Sequence, residues 1–439
     1  MSMRTRSALG GLVLGVMMGG AAPGAGAATE TELQSAVYRA KPAVVMVAVR
    51  MGGTASVRCS EGPAVTVRPA AIGELGSGSI VHPDGWIVTN GHVVQPYQEG
   101  RDGAFGAELL EKAIGEACAA ELEALAPAAR VERVRALAAE RMNRDGFAVE
   151  RAITVNLSNG RAYPATIKYY SPPAYVRTGD GSMRGRDVAI LKIEERELPV
   201  ARLAGRSTDL HLGQSLFVIG FPGVVASHEL LSKATLFEPT ITTGRISGFK
   251  EDIGGQRVIQ TDAAIIQGNS GGPVFDDRGY VIGAATFTSL QGDQVVQGFN
   301  FAIPVETVHE AARQAGFTPL GDSMFTRLWN RGVDLYVRDL HYRAYRNMSA
   351  ANRIHPGFPD VERVREDCDI KHREQSYLRR EEVQWGVGAV LLVALAALAW
   401  FGARWLAAAS RRNLRRIIRE ELAGVRADGP ASSAMPPRP

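Results

Sequence analysis

Short apolar runs that end in polar or glycine-rich turns recur along most of the chain, and they predict β-strands. Residues 76–85 predict a strand that ends in a Pro-Asp-Gly turn, and residues 86–94 predict the returning strand of a hairpin, which leads into a histidine. Residues 185–193 place an aspartate before a strongly β-forming run. Residues 266–275 place a serine among glycines before an apolar strand. The pattern therefore predicts a mainly β protein with polar side chains at its strand ends.

Between residues 105 and 142 the spacing of apolar positions becomes helical, in a stretch rich in Ala, Glu, Leu and Arg. The apolar positions are Leu109, Leu110, Ile114, Leu122, Leu125, Val134, Leu137 and Ala138. They predict a helical hairpin, an insertion of about residues 103–143, whose second helix begins at Pro127. An insertion packed on the surrounding domain is the favoured interpretation, and a lid or regulatory contact is the alternative.

The first 27 residues have the pattern of a secretory signal peptide. Arg4 and Arg6 precede a short apolar run, and the segment ends in Ala25-Gly-Ala27. Cleavage after Ala27 is expected. A retained N-terminal anchor is less favoured, because the apolar run is short and interrupted by glycine.

Residues 385–403, from Trp385 to Ala403, carry no charge, and tryptophans mark both ends of this segment. Its length and composition predict one membrane-spanning helix at residues 384–406. Six arginines follow it, namely Arg404, Arg411, Arg412, Arg415, Arg416 and Arg419. By the positive-inside rule, the basic tail at residues 407–439 is expected in the cytoplasm and the preceding domain outside it. The basic helix at residues 410–422 is amphipathic and suited to an anionic lipid surface.

The bulk charge excludes one class of function. Lys and Arg number 50 against 46 Asp and Glu, and much of the excess lies in the tail, so a nucleic-acid partner finds no support. The three cysteines, Cys59, Cys118 and Cys368, leave their pairing open, a Cys59–Cys118 bridge being one option. No cluster of His and Cys has the spacing of metal ligands.

Three residues at strand ends have the chemistry of nucleophilic catalysis. A serine nucleophile needs a base to remove its proton, and the base needs an acceptor that fixes its tautomer. In chain order the sequence offers His92, Asp187 and Ser270. This is the order found in the chymotrypsin-like double β-barrel.

Residues 89–94 (TNGHVV), 187–192 (DVAILK) and 260–273 (QTDAAIIQGNSGGP) resemble the HtrA (Deg) branch of the trypsin-like serine proteases. The resemblance continues in order over roughly residues 38–316. It implies a chymotrypsin-like double β-barrel over residues 28–316. It also implies that His92 is the general base, Asp187 its orienting partner and Ser270 the nucleophile, with the backbone N–H groups of Gly268 and Ser270 as the oxyanion hole.

Three features bear on the oxyanion hole and the substrate. The family usually has Asn-Pro or Asn-Arg where this chain has Ile266-Gln267, so proline constrains the oxyanion loop less. Ala264, six residues before the serine, would lie at the base of the specificity pocket and favour small or medium aliphatic side chains. The resemblance also places Thr286, Phe287 and Thr288 on the strand edge along which an extended substrate would bind.

Residues 317–383 stand where soluble family members usually carry PDZ domains, and the segment is too short and too helical for one. A helical stalk is favoured. The alternative is a partner-binding module, because Gly332, Leu335, Ala344, Met348, Ala351 and Pro356 have tetratricopeptide-like spacing.

The whole chain is thus expected to be a membrane-tethered, PDZ-less serine endopeptidase that cleaves unfolded or membrane-proximal proteins in the periplasm and needs no cofactor. A peptide-binding or stress-sensing protein without hydrolytic activity is the alternative. A homo-oligomer is compatible with the sequence, which does not set the oligomeric state.

Overall fold

The computed structural model describes residues 30–60, 62–141, 146–173, 185–223, 232, 237–291 and 294–427. The predicted signal peptide lies outside the described residues. The described chain begins with helix α1, Glu30–Ala40, followed by a 3-10 turn, Lys41–Ala43. It forms two units, one ending at Cys368 and the other beginning at Asp369.

The first sheet contains eight antiparallel strands. They are β1 (Val44–Val57), β2 (Val65–Val67), β3 (Ile72–His82), β4 (Trp86–Thr89), β5 (Phe147–Leu157), β6 (Ala162–Pro164), β7 (Thr166–Ser171) and β8 (Val188–Lys192). The strand order is β6-β5-β1-β3-β4-β8-β7, with β2 beside β1. The β3–β4 hairpin turns at Gly85, whose φ is 86°, as the Pro-Asp-Gly pattern predicts.

The second sheet is a closed barrel of six antiparallel strands. They are β9 (Ser215–Gly220), β10 (Thr240–Glu251), β11 (Arg257–Thr261), β12 (Pro273–Asp276), β13 (Val281–Gln291) and β14 (Gln294–Pro304), in the order β10-β11-β14-β13-β12-β9. Helix α6, Val305–Gln314, follows β14 and packs Val308 and Ala311 against Val188 and Ile190 of β8. The two sheets agree with the predicted double-barrel arrangement, although the first follows an open path from β6 to β7 within the described residues.

Helices fill the predicted insertion. Helix α2 (Gly91–Glu99) precedes the insertion, which contains α3 (Ala104–Ala117), α4 (Ala119–Glu123) and α5 (Pro127–Arg141), and α5 begins at the expected proline. Leu109 and Ile114 of α3 share a buried cluster with Met51 of β1. Cys59 and Cys118 form a disulfide, which joins the end of β1 to this insertion. The insertion therefore packs on the first sheet.

The region after the second barrel, where a helical stalk is predicted, is helical and packs against the first sheet. It contains α7 (Met324–Val337), α8 (His341–Ile354) and the start of α9 (Pro359–Ala427). Phe325, Trp329 and Met348 are buried in one cluster with strand residues of the first sheet, and the Trp329 indole N–H donates to the Tyr38 carbonyl at 2.8 Å. The chain up to Cys368 is therefore part of the compact first unit.

The helical pair α7–α8 is closely packed. A Cβ at Gly332 would lie 2.6 Å from the Met348 methyl group, so the glycine allows this approach. The spacing that resembles a tetratricopeptide repeat thus corresponds to one real helical hairpin, with its inner face covered by the first sheet.

In the second unit, α9 continues as a helix, and residues Val383–Ala423 of it are long and apolar enough to cross a membrane by length and composition. The predicted span at residues 385–403 falls within this stretch. None of the residues in its most apolar part is buried within the described structure.

Candidate active site

His92 is positioned by the junction of β4 and α2. Gly91 begins the helix, and a Cβ there would lie 2.1 Å from the Ser171 carbonyl oxygen, so the tight junction requires glycine. The His92 ring Nδ1 lies 2.9 Å from Oδ2 and 3.0 Å from Oδ1 of Asp187. With the Nδ1 proton directed at this carboxylate, Nε2 is left to accept a proton.

Asp187 is held by donors on several sides. The backbone N–H of His92 donates to Oδ1 at 2.8 Å, and the Thr286 hydroxyl donates to Oδ2 at 2.5 Å. The Asp187 carbonyl accepts from the Asn90 side chain at 2.9 Å. Its φ of 48° lies in the left-handed region, which the short polar side chain of aspartate tolerates better than most. The carboxylate is therefore buried and fixed toward the imidazole.

Ser270 lies in the loop that leads into β12. Its carbonyl accepts from the Ser77 N–H at 2.8 Å, and the next residue, Gly271, donates to the Ala285 carbonyl at 2.8 Å. The Ser270 hydroxyl donates to the Thr286 carbonyl at 3.2 Å. Within the described part of the chain, no hydrogen bond joins this hydroxyl to His92. Such bonds are often unformed before substrate binds, and this one requires the Ser270 hydroxyl to leave the Thr286 carbonyl.

Two backbone amides beside the serine are free to donate. Gly268 has φ 97°, and a Cβ there would lie 2.4 Å from the Phe221 carbonyl oxygen, so only glycine fits. The N–H of Asn269 donates to Ile266 at 2.9 Å, whereas those of Gly268 and Ser270 donate to no acceptor in the described structure. A free pair of this kind can bind the oxygen of a tetrahedral intermediate.

A second carboxyl group, which the sequence pattern does not mark, acts on His92. Burial lowers the pKa of His92, but the charge and hydrogen bond of Asp187 and the charge of Glu74 raise it, and the net pKa lies above its ordinary value. Glu74, on β3, is half-buried. Burial raises the pKa of its carboxyl, while the charge of His92 and a hydrogen bond with Gln267 partly offset the rise. Only the folded chain brings Glu74 and Gln267 together.

The predicted substrate residues lie on two segments. Ala264 is half-buried in the loop between β11 and Ser270, and its carbonyl accepts from the Thr242 hydroxyl at 2.9 Å. Thr286 lies on β13, but its side chain contacts Asp187, so it supports the acid rather than lining the substrate edge. Phe287 and Thr288 also lie on β13, and their side chains lie outside the described residues.

Within the described residues, the edge of β13 beyond Ala285 has no second strand beside it. The pairing of β12 with β13 ends at Pro273 and Ala284, and the Ala285 N–H and carbonyl bond Gly272 and Gly271. Beyond Ala285 the described pairing of β13 is with β14 alone. An extended peptide could pair with this edge. Among the described residues no group of three or more His, Cys, Asp or Glu could hold a metal ion.

Comparison with known proteins agrees with this geometry. Residues 76–283 match the family model of the trypsin-like peptidase domain. The chain is 44% identical over 133 residues to Protease Do-like 5, chloroplastic, of Arabidopsis thaliana, covering 28% of this chain and 36% of the relative. It is 34% identical over 148 residues to a probable periplasmic serine endoprotease DegP-like of Ectopseudomonas mendocina, covering 33% of this chain and 27% of the relative.

One similar solved structure is the HtrA-type protease AlgW with a tripeptide, whose sequence is 25% identical to this chain over the aligned region. The alignment covers 64% of this chain and 62% of the AlgW chain, with a TM-score of 0.37. The matched region spans about a third of the length of the curated relatives.

The fold and the site together define a trypsin-like peptidase domain of the serine protease class. This domain is homologous to those of the HtrA and DegP-like proteases, which confirms the resemblance seen in the sequence.

Proposed function

We propose that this protein is a membrane-tethered serine endopeptidase that cleaves extended segments of unfolded or membrane-proximal proteins outside the cytoplasm. The observation that carries the proposal is the His92–Asp187 pair next to Ser270 and two free backbone amides. The Cys59–Cys118 disulfide supports an oxidising compartment.

The residues supply each step of acyl transfer. Ser270 Oγ attacks the substrate carbonyl carbon while His92 Nε2 takes the hydroxyl proton, and Asp187 stabilises the resulting imidazolium. The N–H groups of Gly268 and Ser270 bind the oxyanion. The imidazolium then protonates the leaving amine, and a water molecule activated by His92 hydrolyses the acyl-enzyme, which frees Ser270.

The proposed substrate is an extended chain with small or medium aliphatic side chains before the cleaved bond. The unpaired edge of β13 supports binding by β-addition, and Ala264 would leave an uncharged pocket base. The tether is the apolar part of α9, with the domain in the periplasm or its equivalent and the basic tail in the cytoplasm.

The test combines labelling with cleavage by the full chain in detergent. We expect a fluorophosphonate to label the wild type and the control Ser247→Ala, which changes an exposed serine of β10, but not Ser270→Ala. Cleavage of unfolded casein should follow the same pattern.

Mass spectrometry of the casein fragments should place most cuts after Val, Ala or Leu. Labelling that persists in Ser270→Ala would disprove the assignment, and cuts mainly after Arg or Lys would disprove the pocket.

A peptide-binding protein without hydrolytic activity is the second candidate, because the Ser270 hydroxyl donates to Thr286 instead of His92. It predicts saturable binding of unfolded peptides with no covalent label on Ser270. The same labelling experiment therefore separates the two functions.

A further inference from the structure

A cavity of about 460 Å³ lies apart from the residues of the candidate active site. It is formed by the end of α1, the segment around residues 200–202, the β12–β13 turn and α7. Among the described residues that line it, five are arginines, namely Arg39, Arg202, Arg278, Arg327 and Arg331, and one is a carboxylate, Asp334. Its size is in the range of small-molecule sites.

Three of these arginines are compensated by carboxylates. Arg39 pairs with Asp334 inside the cavity.

The other two compensated arginines have partners outside the lining. Arg278 contacts the buried Asp276 at 2.9 Å, and Arg327 lies 3.5 Å from Asp322. These pairs fix side chains of the wall without adding net charge.

The remaining two arginines are not compensated. Arg202 donates from Nε to the neutral carbonyl of Gly321 at 3.0 Å, and Arg331 has no polar partner within the described residues. Two further polar atoms of the wall, Arg39 Nε and Asn330 Oδ1, are buried without a partner in the described structure. The unsatisfied Arg39 Nε–H and an excess of about two positive charges favour an anionic ligand with several oxygens, whereas Asn330 Oδ1 is an acceptor and calls for a donor such as a ligand hydroxyl.

A phosphate monoester fits these properties. Its charge of about −1.5 to −2 at pH 7 matches the two free guanidinium groups, whose planar donors bind phosphate oxygens in pairs. The cavity exceeds the size of a phosphate group, and Val200, Ala201 and the ring of Tyr280, which is 37% exposed, add apolar surface. We propose that this cavity binds a small phosphomonoester, with its phosphate between Arg202 and Arg331 and its organic group against Tyr280.

Calorimetric titration of the full chain with phenyl phosphate, in a neutral detergent, tests the proposal. We expect saturable binding by the wild type that weakens at higher salt, and no binding of phenol. Arg202→Gln/Arg331→Gln should weaken binding tenfold or more. The matched control, Arg338→Gln, alters an exposed arginine at the end of the same helix, outside the cavity lining, and should bind as the wild type does.

The single variant Arg331→Gln distinguishes a loss of binding from a loss of folding, because Arg331 is exposed and its replacement should not disturb the fold. This variant should still weaken binding several-fold, with an unchanged melting temperature. No saturable binding by the wild type would overturn the proposal. So would equal affinity of the wild type and the double variant, or equal affinity of the wild type for sulfate and phenyl phosphate, which would indicate a general anion site. None of these results depends on peptidase activity.

Discussion

Thr286 connects the acid and the nucleophile of the candidate triad, because its hydroxyl donates to Asp187 and its carbonyl accepts from Ser270. The hydroxyl therefore helps to hold the carboxylate that orients His92. The carbonyl holds the Ser270 hydroxyl in its present position.

Thr286→Val removes the hydroxyl while keeping the side-chain shape. A buried hydrogen bond to a charged group contributes about 1.5–3 kcal/mol, so we expect kcat for peptide hydrolysis to fall roughly tenfold or more. Thr286→Ser keeps the hydroxyl and should retain most of the activity. Steady-state kinetics on a fluorogenic peptide provide the measurement, and equal rates for the two variants would show that the hydroxyl has no part in orienting Asp187.

Glu74→Gln should change the pH profile. His92 must be neutral to act as the base, and its raised pKa means that activity increases with pH through a midpoint above the ordinary histidine value. Removing the negative charge of Glu74 lowers the pKa of His92, so the acidic limb of kcat/KM should move to lower pH. Glu108→Gln, in the helical insertion, is the control and should leave the limb in place. A shift to higher pH in Glu74→Gln would contradict the electrostatic role.

Residue types and their order were enough to predict the candidate triad, since His92, Asp187 and Ser270 each adjoin a recognisable strand. The orientation of Thr286 was not predictable, because the register of β13 shifts between Ala285 and Thr288 and the simple alternation of faces fails there. Glu74 was also missed, since its approach to His92 depends on how the folded chain brings β3 beside α2.

At the scale of secondary-structure elements, the helices after the second barrel show most clearly which contacts the sequence pattern does not predict. Their helical pattern is visible in the sequence, but the sequence does not say what covers their apolar faces. Trp329 and Phe325 are covered by residues far away along the chain, including strands of the first sheet. The sequence therefore predicts a helical stalk but not its packing against the first sheet.

Trp329→Ala tests this packing. Removing a fully buried tryptophan typically costs about 3–5 kcal/mol of the free energy of unfolding, and here it also removes the bond to the Tyr38 carbonyl. We expect a lower melting temperature of the first unit and weaker fluorophosphonate labelling of Ser270. Trp385→Ala, at a tryptophan that is 79% exposed, should leave both unchanged. An unaltered melting temperature in Trp329→Ala would mean that the helices are dispensable to the fold.

At the scale of the whole molecule, the predicted signal peptide and the apolar stretch of α9 together imply one topology. Cys59 and Cys118 are joined in a disulfide, so replacing Cys368 alone gives a background without free thiols. In cells with a permeabilised outer membrane, Ser247→Cys should react with an impermeant maleimide, whereas Glu421→Cys should react only after lysis. Reaction of Glu421→Cys in unlysed cells would contradict the cytoplasmic tail.

The disulfide closes a covalent ring over a sequence separation of 59 residues, and the ring contains the β3–β4 hairpin and His92, whereas Asp187 and Ser270 lie outside it. One backbone nick anywhere within the ring leaves both fragments attached to each other. In the proposed protease, one cut between Cys59 and Cys118 would therefore leave His92 on the same covalent body as Ser270.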